Sequence, residues 1–339
     1  MTINNLKTFF ESLECAIGAV RIDYTNDSTH PKEYEVNLDS ALVRGTIKGV
    51  ELDSDILFIE FDVKFNEDIT IKLDTPKGSV VNFLYCIEGN ISQSFEKNKL
   101  VNSIQTYHTH ISAPIETEEN HLYFPKNEQV HCVLIAVNTS KTSLANSSIN
   151  KMVSKLFVEG QTQDFIYNGS SNLKITEHIE RLVNRSKEGI VKRVLTEGLI
   201  YVILSMKIEH YTLDLSRPQA LTKALTKSEL KQINELSQFI KNFPETDLGV
   251  SGLCSKFGLN TKKAQKGFKL MHEKTLNEYI RFVRVTKSEE LIKTTDLNIS
   301  EIVYTLGLTN RSYFSHIFKE VYNCSPSAYK QKNGLAAAG

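Results

Sequence analysis

The chain has 339 residues, about twice the length of an ordinary domain. Hydrophobic residues make up 40% and charged residues 24%, with only 16 Gly and 7 Pro, which excludes collagen-like repeats and low-complexity disorder. The formal charge of zero, from 40 Lys+Arg and 40 Asp+Glu, averages two opposed halves. The N-terminal stretch MTINNLKTFFESLE carries Glu11 and Glu14 where a signal peptide needs an unbroken apolar core. The longest apolar runs, Gly198–Met206 and Val130–Val137, fall far short of the ~20 residues of a membrane helix. Cys15, Cys86, Cys132, Cys254 and Cys324 are an odd number without a CxxC pair. That argues against a disulfide framework or zinc ribbon and fits a reducing compartment. A cytoplasmic protein without membrane partners is expected.

From about Leu38 to Val137 the sequence reads as short strands: LFIEFDVKF, ITIKL, SVVNFLYCI and HCVLIAV. They are rich in Val, Ile, Phe and Tyr and are parted by turn material such as Asp74–Gly78 and Glu88–Asn90. No helical crossover separates them, so an antiparallel sandwich or barrel is expected. After Ser147 the apolar period lengthens to that of a helix. Ile175, Ile179, Leu182 and Val183 form one stripe; Val191, Val194, Leu195, Gly198, Leu199, Val202 and Ile203 form the next. The second stripe fits either burial in its own domain or a face presented to a second copy of the chain in a homodimer. Polar residues 209–226 read as a linker. A new helix opens at Thr226 with Glu229 three residues on, a capping box followed by Leu230, Ile233, Leu236 and Phe239. From there to Tyr329 everything reads as helix.

Residues 227–333 hold 17 Lys+Arg against 11 Asp+Glu, a net of +6, so the preceding residues carry −6. Two stretches in this basic end share one plan: VSGLCSKFGLNTKKAQKGFK (Val250–Lys269) and ISEIVYTLGLTNRSYFSHIFK (Ile299–Lys319). Each has a short apolar helix, a Gly-Leu turn, a polar N-cap candidate (Asn260, Thr309) and a second helix ending Phe-Lys. Gly258 and Gly307 stand where a helix must end in a left-handed conformation that Gly adopts cheaply. This is helix–turn–helix grammar written twice. In the first unit Lys262, Gln265, Lys266 and Lys269 share an outward face, opposite Ala264 and Phe268. In the second, Arg311, Ser312, Ser315, His316 and Lys319 lie opposite Phe314, Ile317, Phe318 and Val321. Packing explains the apolar stripes, but it does not require the other faces to lack acids, and both lack them until Glu320. Such side chains reach phosphates and base edges in a major groove.

Residues ~230–332 resemble the DNA-binding domain of the AraC/XylS transcription regulators. The resemblance rests on Phe268-Lys269, Tyr279, Arg284, Leu291, Ile299, Glu301-Ile302, Gly307, Ser312-Tyr313-Phe314, Phe318-Lys319, Ser325-Pro326 and Tyr329. It implies two helix–turn–helix units joined by one long helix, roughly Leu276–Thr294, with recognition helices in successive major grooves of double-stranded DNA. Carried over by position, the DNA-binding residues are Asn260, Thr261, Lys262, Gln265, Lys266 and Lys269 in the first unit. In the second they are Thr309, Asn310, Arg311, Ser312, Ser315, His316 and Lys319. Glu273 and Asn323 depart from the pattern, standing where the family usually has a turn Gly. The family also implies an N-terminal sensor, often a cupin-like barrel, that binds a small-molecule effector. FLYCIEGNIS and YFPKNEQVHCVLIAVN fit such a domain.

The resulting fold class is α+β multidomain. Residues 1–147 form an antiparallel β, cupin-like sensor and 148–226 a helical middle region. Residues 227–333 form an all-α double helix–turn–helix and 334–339 a tail. His108 and His110 share a strand face, and with Glu116 and His131 they could ligate a metal in a barrel. The spacings differ from the usual cupin motif, so no metal and no cofactor is expected. No nucleophile elbow, phosphate loop or His-Glu-x-x-His motif occurs, and Cys15, Cys86 and Cys132 are too dispersed for the zinc cluster of a methyl-transfer repair protein. The reading is a transcription regulator rather than an enzyme; the alternative is a metal-dependent cupin enzyme carrying a DNA-binding tail.

Overall fold

The computed structural model describes residues 6, 9–10, 21–24, 32–74, 76–95, 101–140, 148–183, 189–216, 225–246, 249–308 and 310–336. The chain divides into two compact units, residues 1–222 and 223–339.

Among the described residues, the first unit has twelve strands: β1 (Arg21–Tyr24), β2 (Lys32–Asp39), β3 (Val43–Leu52), β4 (Ile56–Phe65), β5 (Ile69–Asp74), β6 (Val80–Glu88), β7 (Ile91–Ser94), β8 (Asn102–Ile104), β9 (His108–Ala113), β10 (Glu119–Phe124), β11 (Gln129–Asn138) and β12 (Phe165–Ser171). They form an eight-stranded sheet, β1-β2-β3-β4-β11-β6-β9-β12, and a four-stranded sheet, β5-β10-β7-β8. Every pairing between these strands is antiparallel. The inward residues of both sheets meet in one core that includes Phe61, Phe65, Leu84, Leu122, Phe124 and Leu134. Leu6, Phe9 and Phe10 join it; Phe10 stacks on Tyr34 with ring centroids 5.4 Å apart.

Three helices follow: α1 (Ser148–Phe157), α2 (Lys174–Val183) and α3 (Gly189–Ser216). They explain why β6 and β11 are apolar on both faces. The inward face feeds the core, while Phe83 on the other face packs edge-on against Phe157 of α1, 5.6 Å between centroids. Tyr85, also on that outer face, donates its hydroxyl proton to Asn172 O at 2.6 Å and lies 2.9 Å from Thr176 Oγ1 of α2. Lys207 of α3 is wholly buried there, its Nζ 5.3 Å from the Tyr85 ring centroid. Burial drives its ammonium pKa well below the ordinary lysine value.

Three expectations for this region change. The stretch after Ser147 is not helix throughout, because β12 pairs with β9 and completes the large sheet. FIYNGSS is too short and too polar to show a period. The supposed linker at 209–226 is helical as far as Ser216 and is bolted down. Asp214 accepts from Tyr167 Oη at 2.6 Å, Ser170 N at 2.8 Å and Ser170 Oγ at 2.9 Å. Finally, of the apolar stripe read from the sequence α3 fully buries only Ile203, so the reading of burial in its own domain fails for most of it. The inner face of α3 is Thr196, Ile200, Ile203, Leu204, Lys207 and His210. Ile190, Val191, Val194, Leu195 and Val202 stay exposed, Val194 at 61%.

Among the described residues of the second unit every element is a helix: α4 (Lys227–Asn242), α5 (Val250–Lys256), α6 (Thr261–His272), α7 (Leu276–Thr294), α8 (Ile299–Thr305), α9 (Arg311–Tyr322) and α10 (Pro326–Ala336). α10 continues past residue 333, where the sequence suggested a tail. Capping boxes open α4 (Thr226/Glu229), α7 (Thr275/Glu278) and α8 (Asn298/Glu301), each satisfying amide N–H groups that have no helical partner. Gly267 lies inside α6 because Ile233 of α4 rests on it; an added Cβ would sit 2.2 Å from Ile233 Cδ1.

Candidate nucleic-acid interface

Each helix–turn–helix unit is built around a glycine turn. Gly258 (φ +64) follows α5 and Gly307 (φ +66) follows α8, and both turns carry the chain into a recognition helix, α6 or α9. Asn260 caps α6 through Lys262 N at 2.8 Å. The second cap is Asn310, through Tyr313 N at 2.9 Å, one residue beyond the expected Thr309. Thr309 itself lies outside the described residues. The two asparagine side chains are therefore committed to ending their helices.

The buried sides match the sequence pattern. Ala264, Gly267, Phe268 and Met271 of α6 pack inward, as do Phe314, Ile317 and Phe318 of α9. Tyr313 is half-buried, with the Arg281 guanidinium of α7 centred 5.3 Å from its ring. On the outward side of α6, Thr261, Lys262, Lys266 and Lys269 are exposed. Gln265 is diverted: half-buried, its Oε1 accepts from Leu276 N of α7 at 3.0 Å. The recognition helix is thereby tied to the central helix through a residue expected to read bases. Lys263, adjacent to this surface, pairs with Glu229 of α4.

On α9, Arg311, Ser312, His316 and Lys319 are exposed and Ser315 is half-buried. Arg311 Nη1 donates to Ser300 Oγ of α8 at 3.1 Å, an exposed bond that positions the guanidinium at the start of the recognition helix. His316 Nε2 lies 3.3 Å from Glu320 Oε1, so the first acid on this face holds the histidine.

Residues outside the recognition helices fix the two units together. Arg284, midway along α7, donates from Nε to Pro244 O at 2.7 Å and from Nη2 to Thr246 O at 3.0 Å. Between those two carbonyls, Glu245 O lies so close to Gly307 that an added Cβ would be 2.5 Å from it. The bend after α4 is thus gripped by the central helix and by the turn of the second unit. Sequence reasoning singled out both Arg284 and Gly307 but gave neither this role.

The metal candidates do not converge. His110 faces into the sandwich with its Nδ1 2.6 Å from Asn168 Oδ1, and His108 Nδ1 lies 2.9 Å from Thr106 O. His131 is on the outer face of β11, where its Nε2 meets Glu60 Oε1 at 2.8 Å. The backbone N–H of Glu116 donates to Asp164. Adjacent residues of a strand point to opposite faces, so His131 and its neighbour Cys132, which joins the core, cannot serve one inward site. Among the described residues, no group of three or more His, Cys, Asp or Glu is placed to hold a metal ion, and no helix is long and apolar enough to cross a membrane.

Residues 253–332 match a family model described as a helix-turn-helix domain. The Msm operon regulatory protein of Streptococcus mutans is 27% identical over 143 residues, which cover 42% of this chain and 49% of that protein. Regulatory protein SoxS of Escherichia coli is 27% identical over 105 residues, 31% of this chain and 98% of SoxS. Among solved structures, ToxT from Vibrio cholerae aligns over 78% of this chain and 98% of its own at 16% identity, with a TM-score of 0.30. The match spans about half the length of the Msm regulator. The C-terminal segment is an AraC-type helix–turn–helix domain, and these curated relatives are regulators.

Glu273 ends α6 at φ 59 and Asn323 ends α9 at φ 56, both left-handed. That conformation crowds a Cβ, and Asn bears it better than Glu because its short polar side chain bonds locally. Glu273→Gly is expected to stabilise the second unit by about 1 kcal/mol, and Asn323→Gly by less. Thermal unfolding of the two variants measures the difference; a melting temperature unchanged or lowered by Glu273→Gly would refute the strain.

Proposed function

We propose that the chain is a sequence-specific DNA-binding transcription regulator whose first unit, residues 1–147 with the helical region 148–226, senses a small effector and whose residues 227–333 read DNA. The observation that carries the reading is the pair of capped recognition helices, each apolar inside and exposing basic and hydroxyl side chains outside, within one compact helical unit. Base-reading falls to Lys262 and Lys266 of α6 and to Arg311, Ser312 and His316 of α9. Lys269 and Lys319, in the last turns of their helices, meet phosphate. The reading places the protein in the cytoplasm, on double-stranded DNA. One chain then covers two major-groove segments a helical turn apart, about 10 bp centre to centre.

A second copy of the chain is the partner we propose for the exposed face of α3. Val191, Val194, Leu195 and Val202 recur there at helical spacing, and a C2 pair buries one such stripe against itself. Sedimentation should find a dimer that Val194→Asp converts to monomer; a wild-type chain monomeric at tens of micromolar would contradict it.

Arg311 and Lys319 separate base reading from anchoring. Arg311 sits at the N-terminal end of α9, and its planar fork fits guanine O6 and N7. Arg311→Ala is expected to cost ~1–3 kcal/mol on the best site and to relax preference at one base position. Lys319→Ala should weaken specific and non-specific binding alike and lower the salt slope by about one. Binding to single-base variants of a site selected from random DNA, at several salt concentrations, gives the answer. Identical behaviour of the two variants would reduce both residues to phosphate anchors.

A further inference from the structure

The two recognition helices are held in place by different forces. On α9 the inward side chains Phe314, Ile317 and Phe318 enter an apolar cluster with Val285 of α7 and Ile302 of α8. Large side chains set between those of a neighbour stop a helix from rolling or sliding. On α6 the inward positions Ala264 and Gly267 offer no such knobs, and Ile233 of α4 rests where a Gly267 Cβ would stand. Phe268 and Met271 are the large apolar side chains that α6 turns inward.

Hydrogen bonds do on α6 what side-chain volume does on α9. Gln265 Oε1 accepts from Leu276 N at 3.0 Å. His272 lies seven residues further on, which brings it almost back into line with Gln265 two turns later. It is 9% exposed, and its Nε2 lies 2.8 Å from Ser237 Oγ of α4. The same oxygen lies 3.1 Å from Tyr279 Oη of α7, and the His272 and Tyr279 rings stack with centroids 3.9 Å apart. Ser237 has no exposed surface and Tyr279 only 2%. One ordering of protons serves all three groups: Tyr279 donates to Ser237 Oγ, and Ser237 donates to His272 Nε2. A single buried hydroxyl thus joins α4, α6 and α7. Hydrogen bonds accept a narrow range of distance and angle, and satisfied buried networks make a core rigid. Two such ties along one edge of α6 select one rotation of the helix about its axis. That rotation aims Lys262 and Lys266, on the exposed side.

We propose that Ser237 is a positioning residue for DNA reading: its hydroxyl, through His272 and Tyr279, sets the rotation of α6 and thereby the base preference of the first recognition helix. The proposal rests on reading α6 as a base-contacting helix and adds a residue wholly buried beneath it.

Binding of the full chain to a site selected from random DNA tests it. Positions read by α6 are those whose preference Lys266→Ala removes; positions read by α9 are those that Arg311→Ala relaxes. Wild type should lose about tenfold for each wrong base pair in either part. In Ser237→Ala the loss at the α6 positions should shrink to about threefold or less, while the α9 positions keep the wild-type loss. Non-specific affinity and salt slope should stay, because no phosphate contact is removed. Tyr279→Phe keeps the ring stack and removes one hydroxyl. It should relax the same positions by a smaller factor, and it decides the matter if Ser237→Ala does not fold. A melting scan of each variant sets a binding temperature at which the protein is folded. A Ser237→Ala protein that keeps the wild-type preference at the α6 positions would overturn the proposal. So would equal relaxation in both parts, the mark of general loosening. If Lys266→Ala removes no base preference from wild type, base reading by α6 itself fails, and that result is in hand before any Ser237 variant is made.

Discussion

Pro244, Glu245 and Thr246 form the bend after α4; the first and third carbonyls accept hydrogen bonds from outside the first helix–turn–helix unit and the second lies against Gly307. The Arg284 guanidinium takes the first and third, and the Gly307 turn closes on the second. Arg is suited to this grip because its rigid fork can reach two acceptors at once, which an ammonium on a flexible stem does less well. Gly is required opposite because any Cβ would strike Glu245 O. A DNA reader with two recognition helices in one chain needs those helices at a fixed separation and rotation, or binding one groove does nothing for the next. The carbonyl grip supplies that constraint, and the second tie, Gln265 to the start of α7, holds α6 to the same central helix.

Much of this second unit was legible in the sequence, for local reasons. Glycine turns, capping boxes and apolar stripes depend on residues within a few positions of one another, so Thr226/Glu229, Gly258, Gly307 and the Phe-Lys helix ends give their places away. Long-range partners do not. Gln265 falls on the outward face by helical spacing, yet it is captured by a backbone amide eleven residues on. The cap moved from Thr309 to Asn310 because either side chain can serve and the exact start of the helix decides.

The first unit was less legible. Central strands such as β6 and β11 are apolar on both faces because helices pack on their outer side, and they stand out. Edge strand β12 and short β7 and β8 carry too little apolar signal to mark them as strands. On α3 the stripe of Val191, Val194 and Val202 has the right period but the wrong destination. Burial went to a face containing Lys207 and His210, which hydropathy would assign to solvent. The same blindness hid Asn82, Gln93 and Asn120, whose wholly buried positions depend on how two sheets face each other.

The rigid coupling of the two helix–turn–helix units can be measured directly on a two-part site selected from random DNA by the full chain. Sites are made with zero to three base pairs inserted between the two parts, and affinity is read for wild type and Arg284→Ala at one salt concentration. Wild type should lose tenfold or more on a single inserted pair. Arg284→Ala should bind the native spacing more weakly but show a flattened dependence on spacing, with its non-specific affinity and salt slope kept, because no phosphate contact is removed. An Arg284→Ala protein that keeps the wild-type spacing preference would contradict the account.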